Sequence, residues 1–147
     1  IGYALTTPEV IETLTPHSPP YPINQISQNA ATFVLANQDY YSQVKIEISK
    51  EREYLISNLS QNGMKVTSEC SNFLFISLGQ HRSDKIADKL KEEGILIKDL
   101  THYGFPNHHR ITIRKREENK KIISAYKNIL KYFEDIYSSL KSRKKYY

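Results

Sequence analysis

The sequence predicts a mixed α/β domain, with an α+β-like arrangement in which helices cover a small mixed or antiparallel sheet. Short runs rich in β-branched and aromatic residues alternate with helical segments from residue 64 onward. Gly63 and Gly94 each follow a helical segment, where glycine commonly ends a helix. The chain has 147 residues and is 39% hydrophobic, which suffices for one modest core.

The first part of the chain is predicted to be mostly helical. Residues 1–5 (IGYAL) are apolar and predict a short strand fragment. Thr7 as N-cap and Pro8 at the first helical position predict a brief helix. Residues 15–22 hold four of the six prolines, which predicts a stiff extended connector. Apolar residues at helical spacing over about 25–61 then predict two helices, or one kinked helix.

The second part alternates between predicted strands and helices. Strands are predicted at residues 64–67, 72–78, 95–100 and 109–114, and helices at residues 82–93 and 116–140. In the last helix, apolar residues at helical spacing are expected to keep one face apolar: Ile122, Tyr126, Ile129, Phe133, Ile136 or Tyr137, and Leu140.

Composition argues against several classes of partner. Four of the five net positive charges lie in residues 141–147, which we interpret as a solvated basic tail, so no nucleic acid partner is expected. No segment resembles a membrane span of about 20 apolar residues, and no membrane partner is expected. Cys70 is the single cysteine, which excludes an internal disulfide and fits a cytoplasmic protein. We interpret Cys70 as a half-buried structural residue.

The histidines do not predict a metal site. His102, His108 and His109 lie within eight residues, but neighbours in a strand point to opposite faces of the sheet. No cysteine pair or HExxH motif accompanies them. We therefore expect these three histidines to lie in loops and not to bind a metal.

Polar residues at strand ends are the remaining candidates for chemistry. Asn72 and Arg110 open two predicted strands, and Lys98 lies near the end of a third. Arginine can hold a carboxylate through two parallel hydrogen bonds, a geometry that lysine lacks. If these three side chains share one edge of the sheet, they form a site for a small anion.

Surface ion pairs are the alternative for the same residues. Arg110 could pair with Glu117 or Glu118, and Lys98 could pair with Asp99. Spacing alone favours these pairs over a binding site.

A family resemblance gives these residues a role. The segments IGYAL, PPYPIN, SNFLFISL, EEGILIKDL and HRITIRKREENKKIISAYKNIL resemble, in this order, the C-terminal part of histidinol-phosphate aminotransferase-like enzymes. Those enzymes are pyridoxal 5'-phosphate-dependent class I/II aminotransferases of fold type I. The resemblance spans nearly all of residues 1–131 and implies the small C-terminal domain of such an enzyme.

The resemblance implies four substrate-binding residues. Arg110 matches the arginine that binds the substrate's α-carboxylate, and Asn72 matches an asparagine near the substrate pocket. Tyr21 matches a pocket-side position in the connector. Lys98 stands where the family has an arginine that helps to hold the substrate's phosphate.

The resemblance also implies what this chain lacks. The family's Schiff-base lysine and its cofactor-binding residues lie upstream in the large domain, so no catalytic or cofactor-binding residue is expected here. The chain is expected to be a piece of a longer protein and inactive alone. Its expected domains are residues 1–22 (end of the large domain and connector), 23–140 (small domain) and 141–147 (tail).

The implied function is transfer of an amino group between an amino acid and a 2-oxo acid or phosphorylated keto substrate, in a cytoplasmic homodimer. Arg114 stands where the aminotransferase pattern has a glycine. An arginine at this position resembles the pattern of threonine-phosphate decarboxylase-type relatives, so decarboxylation of an O-phospho amino acid is an alternative. A stand-alone amino-acid-binding or interaction module is a third possibility.

Overall fold

The computed structural model describes residues 1–68 and 71–143, and side chains as far as residue 139. The chain divides into two compact units, Ile1–Lys45 and Ile46–Tyr147, each of which is described separately. Cys70 lies outside the described residues, as do Lys144 and Lys145 of the predicted tail.

The first unit is helical. Helix α1 (Pro8–Leu14) follows Thr7 as predicted, and a 3-10 turn follows at Thr15–His17, where an extended connector was expected. Helix α2 (Gln25–Ala36) begins after Asn24, whose side chain accepts a hydrogen bond from the Ser27 amide at 2.8 Å. Helix α3 (Gln38–Gln61) begins in this unit and ends in the second, so the prediction of two helices is confirmed.

The predicted strand at residues 1–5 is wrong. These residues have no regular structure, and none of the four strands of the described chain pairs with them. A strand needs a neighbour to satisfy its backbone donors and acceptors, and apolar composition alone does not supply one.

The second unit contains a four-stranded antiparallel sheet in the order β1-β2-β4-β3. The strands are β1 (Lys65–Thr67), β2 (Phe73–Ser77), β3 (Lys98–Asp99) and β4 (His108–Thr112). Helix α4 (Ser83–Glu92) lies between β2 and β3 in sequence, and helix α5 (Arg116–Arg143) ends the described chain. The predicted architecture is confirmed, with an antiparallel sheet.

The core lies between one face of the sheet and the helices. Its largest members include Leu55 and Leu59 of α3, Ile86 and Leu90 of α4, and Tyr126 of α5, all fully buried. The expected apolar face of α5 is correct in its first part, where Ile122, Tyr126 and Ile129 are buried and Phe133 packs against the core. It is wrong at Ile136 and Tyr137, which are exposed, and the side chain of Leu140 lies outside the described residues.

Strand β3 is shorter than predicted because the preceding helix uses part of its backbone. Gly94 has a φ of +76°, and the amide of Ile95 donates to the carbonyl of Leu90 at 2.8 Å. This closing bond of α4 holds Ile95 at the helix end and away from the sheet ladder. The predicted strand at 95–100 is thus reduced to Lys98–Asp99.

Asn119 connects the end of β4 to α3 and α5. Its side-chain oxygen accepts from the Arg114 amide at 3.0 Å, and its side-chain nitrogen donates to Arg114 O and to Glu51 Oε2 at 2.6 and 2.8 Å. Glu51 also pairs with Arg116 at 2.8 Å, and Arg116 lowers the pKa of that carboxyl. Because Asn119 takes up the Arg114 amide, β4 ends before Arg114, two residues earlier than predicted.

We expect Asn119→Ala to lower the free energy of unfolding by ~2–3 kcal/mol, because it removes the buried Asn119 side chain and its three partly buried hydrogen bonds to Arg114 and Glu51. Urea unfolding followed by circular dichroism measures the change. Asn128→Ala replaces an exposed asparagine of the same helix and should change stability little. Equal effects of the two substitutions would contradict this role of Asn119.

No described helix combines the length and apolar character needed to cross a lipid bilayer.

Candidate functional site

The sheet of the second unit has one buried face and one open face. Leu74, Ile76 and Ile111 alternate with their neighbours along β2 and β4 and are buried against the helices. The residues between them point to the other face because side chains of a strand alternate. We call this other side of the sheet the open face.

Arg110 and Lys98 are neighbours on the open face. Arg110 pairs in register with Lys98 of β3 on one side and with Phe75 of β2 on the other. Directly opposed residues of antiparallel strands have their side chains on the same face, about 4.5–5.5 Å apart at Cβ. The antiparallel pairing of β3 with β4 thus brings together two cations that are twelve positions apart in sequence.

Aromatic rings lie against both cations. The guanidinium carbon of Arg110 lies 5.0 Å from the centroid of the Phe73 ring, and Lys98 Nζ lies 4.3 Å from the centroid of the Tyr103 ring. The pKa of the Tyr103 hydroxyl is lowered, first by its hydrogen bond with Lys98 and then by the charges of Lys98 and Arg110. The open face therefore carries a positive patch framed by aromatic side chains.

The surface ion pairs favoured by spacing are wrong. Glu118 pairs with Arg114 and Glu117 pairs with Lys120, each at 2.9 Å. In the described part of the chain, no carboxylate lies within 4.0 Å of Arg110.

Asp99 does not neutralise Lys98. The Asp99 carboxylate accepts a hydrogen bond from the Thr101 hydroxyl at 3.0 Å. Its neighbour Lys98 points to the opposite face of the sheet, since adjacent strand residues alternate. Among the described ion pairs, Lys98 has none, so both cations of the open face keep their charge available.

Asn72 lies at the end of the same pair of strands. Its carbonyl accepts a hydrogen bond from the Ile113 amide at 2.9 Å, which fixes its backbone one residue before β2. Its side chain is exposed. The strand ladder places Phe73 and Phe75 on the open face but does not by itself orient Asn72 toward Arg110.

Tyr21 belongs to the first unit, where it precedes α2. Its side chain is 91% exposed. Arg110 and Lys98 are thus direct neighbours, and Asn72 lies at one end of the same sheet. Tyr21 belongs to the other unit.

The two neighbouring histidines lie in β4 rather than in a loop, and they point to opposite faces as predicted. His108 lies against the Phe75 ring, with the ring centroids 4.8 Å apart. His109 is fully buried and contacts Tyr126 Oη and the Ser83 carbonyl, both at 2.8 Å. No group of three or more potential metal ligands occurs among the described residues.

Two cavities of the second unit are lined by neither Arg110 nor Lys98. One of about 450 Å³ is lined by residues that include Leu96, Thr112 and Lys121, and one of about 400 Å³ by residues that include Met64 and His81. Neither of these cavities is lined by a predicted substrate-binding residue.

Sequence reasoning missed the aromatic members of the site. Phe73 and Phe75 occupy alternate positions of β2, and Tyr103 lies in a 3-10 turn (Thr101–Tyr103) after β3. Alternation along β2 could have placed both phenylalanines on the face of Arg110 once the register was known. No local pattern indicates that Tyr103 returns to Lys98.

A small antiparallel sheet with helices packed on one face is also the architecture of the matching part of solved aminotransferases of fold type I. The sequence profile of the family described as "Aminotransferase class I and II" matches residues 1–125. The chain belongs to this family.

Individual relatives agree with the family. A histidinol-phosphate aminotransferase from Anaeromyxobacter sp. (strain Fw109-5) is 28% identical over 130 residues, which cover 88% of this chain and 36% of the relative. The chain spans about a third of the length of the curated relatives it matches.

Solved structures agree with the fold. The histidinol-phosphate aminotransferase from Clostridium acetobutylicum is 26% identical and matches with a TM-score of 0.71, covering 84% of this chain and 38% of that chain. The L-threonine-O-3-phosphate decarboxylase from Porphyromonas gingivalis matches with a TM-score of 0.70 at 20% identity, over 86% of this chain and 40% of that chain. At that identity the second match shows the shared fold alone.

Proposed function

We propose that this chain supplies the substrate-binding groups of the small domain of a pyridoxal 5'-phosphate-dependent aminotransferase. The complete enzyme would transfer an amino group between an amino acid and a 2-oxo acid or phosphorylated keto substrate, as histidinol-phosphate aminotransferase-like enzymes do. The observation that supports this function best is the adjacent pair of unneutralised cations, Arg110 and Lys98, on the open face.

Each proposed residue has a distinct task. Arg110 would hold the α-carboxylate through two charge-assisted hydrogen bonds, which fixes the orientation of the substrate as well as its position. Lys98 would attract a distal phosphate or another anion as a point charge. Asn72 would position the carboxylate end, and Tyr21 would line the pocket from the connector.

The described residues do not form a cradle for the cofactor by themselves. Pyridoxal phosphate needs a lysine for its aldehyde and a partner for its pyridine nitrogen, and when bound it supplies the electron sink of the reaction. Here Lys98 lies over Tyr103, while the partly buried carboxylate of Glu51 is taken up by Arg116 and Asn119. We therefore assign cofactor binding to the rest of the complete enzyme and regard this chain alone as inactive.

Amino transfer by the full-length protein is the decisive test. The protein that contains this chain would be loaded with pyridoxal phosphate and mixed with L-glutamate. We expect one 2-oxoglutarate to form for each bound cofactor. The chain alone under the same conditions serves as the control and should form none. A full-length protein that binds pyridoxal phosphate but converts no amino donor into its own 2-oxo acid would contradict aminotransferase activity.

Decarboxylation of an O-phospho amino acid is the second candidate. Arg114 stands where the aminotransferase pattern has a glycine, although its guanidinium is half-exposed and paired with Glu118. Release of CO2 from O-phospho-L-threonine or O-phospho-L-serine would favour this candidate. If the full-length protein binds no pyridoxal phosphate, a binding module for amino acids or another protein becomes the better proposal.

The setting of the enzyme is proposed as well. We propose a cytoplasmic homodimer whose partners are small amino acid and keto substrates, in keeping with the family resemblance.

A further inference from the structure

Two long cationic side chains on an open face need something to hold them. Arg110 is exposed and Lys98 is half-buried, and neither has a carboxylate partner in the described part of the chain. Both side chains lose considerable rotamer freedom when they are fixed. A carboxylate would fix them, but it would also cancel the charge that an anionic substrate requires.

Phe73 is placed to fix Arg110. It lies on the adjacent strand, paired in register with Thr112, and is therefore the diagonal neighbour of Arg110 on the same face. Phe73 is 38% exposed, and the centroid of its ring lies 5.0 Å from the guanidinium carbon of Arg110. A cation over an aromatic face is attracted by the ring quadrupole and keeps its full charge.

Tyr103 is placed in the same way against Lys98. The amides of Tyr103 and Phe105 both donate to the Leu100 carbonyl, at 2.9 and 3.2 Å, and Gly104 has a φ of +80°. This tight turn returns the chain to the strand it has just left. Tyr103 is 60% exposed, and the centroid of its ring lies 4.3 Å from Lys98 Nζ.

We propose that Phe73 and Tyr103 are positioning residues of the substrate site, which hold Arg110 and Lys98 by their ring faces and leave both charges free for an anion. This inference rests on the proposed function, because the anion is the substrate. It assigns to the aromatic frame the task that carboxylates perform in ordinary surface ion pairs. The rings fix direction, and the substrate supplies the neutralising charge.

The affinity for the amino acid substrate should depend on the aromatic ring of Phe73 and not only on its size. In the full-length holoenzyme, we expect Phe73→Leu to raise KM for L-glutamate about 2- to 5-fold, as for an exposed cation–π contact, with a smaller change in kcat. Phe73→Tyr keeps the ring and should restore the original KM. Phe105→Leu is the matched control, since Phe105 packs on the Phe75 ring at 5.3 Å and contacts no cation described here.

Tyr103 is tested with inorganic phosphate as a competitive inhibitor. Tyr103→Leu should weaken inhibition about 2- to 5-fold through loss of the ring beneath Lys98, and Tyr103→Phe should retain it. If Tyr103→Phe weakens inhibition as much as Tyr103→Leu does, the hydroxyl acts instead of the ring and the proposal is overturned for Tyr103.

A direct readout of Arg110 separates this inference from the proposed function. In protein labelled with 15N-arginine, the heteronuclear NOE of Arg110 Nε should fall in Phe73→Leu and stay unchanged in Phe105→Leu. An unchanged NOE in Phe73→Leu overturns the positioning role, whatever the kinetics show. A lower NOE in Phe73→Leu, combined with no effect of Arg110→Ala on L-glutamate, would show that Phe73 holds Arg110 but would refute the assignment of the substrate carboxylate to Arg110.

Discussion

Arg110→Ala in the full-length protein is expected to weaken the binding of an amino acid substrate by about 10- to 150-fold. Removal of one partner of a charge-assisted hydrogen bond costs about 1.5–3 kcal/mol, which corresponds to this range of affinity. Stability should change little, because Arg110 is exposed and has no carboxylate partner in the described part of the chain. The loss should therefore appear in substrate binding and in kcat/KM.

Arg114→Ala is the matched control for that experiment. Arg114 follows the same strand, is similarly exposed and pairs with Glu118 on the surface, where an ion pair contributes up to about 1 kcal/mol. We expect its removal to leave KM for L-glutamate unchanged. Arg110→Lys should recover only part of the affinity, since lysine cannot form the bidentate pair. If Arg110→Ala and the unmodified enzyme have equal kcat and KM, Arg110 does not bind the substrate.

The sequence predicted most elements because their signals are local. Helical periodicity and the glycines at 63 and 94 depend on neighbouring residues, and the ends of α3 and α4 lie where predicted to within two residues. The strand at 1–5 and the long strand at 95–100 failed because strands depend on partners. A run such as Ile95–Ile97 has strand composition, yet the closing bond at Ile95 holds it at the end of a helix.

The candidate site was predictable only in part, because its residues are visible in the sequence but their pairing across strands is not. Arg110 and Lys98 were conspicuous as charged residues at strand ends, and the family resemblance gave each a role. Their adjacency depends on the register of β3 with β4, which no single segment encodes. The ion pairs expected from spacing were wrong because closer partners, Arg114 and Lys120, occupy the two glutamates.

The buried contact of His109 with Tyr126 is expected to contribute strongly to stability. The His109 Nε2 proton is donated to the Ser83 carbonyl, so its Nδ1 accepts from the Tyr126 hydroxyl, both at 2.8 Å. Each of His109→Leu and Tyr126→Phe should lower the free energy of unfolding by about 1–3 kcal/mol or more, because each leaves a buried polar group without its partner. The double variant should cost less than the sum of the two, since it removes both Nδ1 and the hydroxyl.

The same histidine should make stability depend on pH. Burial lowers the pKa of His109 below its ordinary value of 6.5, against the opposing effects of the Ser83 carbonyl and Asp99. The unfolded chain therefore binds a proton more readily than the folded chain, and stability falls as pH drops below about 6.5 toward the folded pKa. Urea unfolding between pH 7 and 5 should show this decline in the unmodified chain and a flatter profile in His109→Leu. The lowered carboxyl pKa values, such as that of Glu51, act at lower pH, so a decline that persists unchanged in His109→Leu over pH 7–5 would show that His109 is not its source.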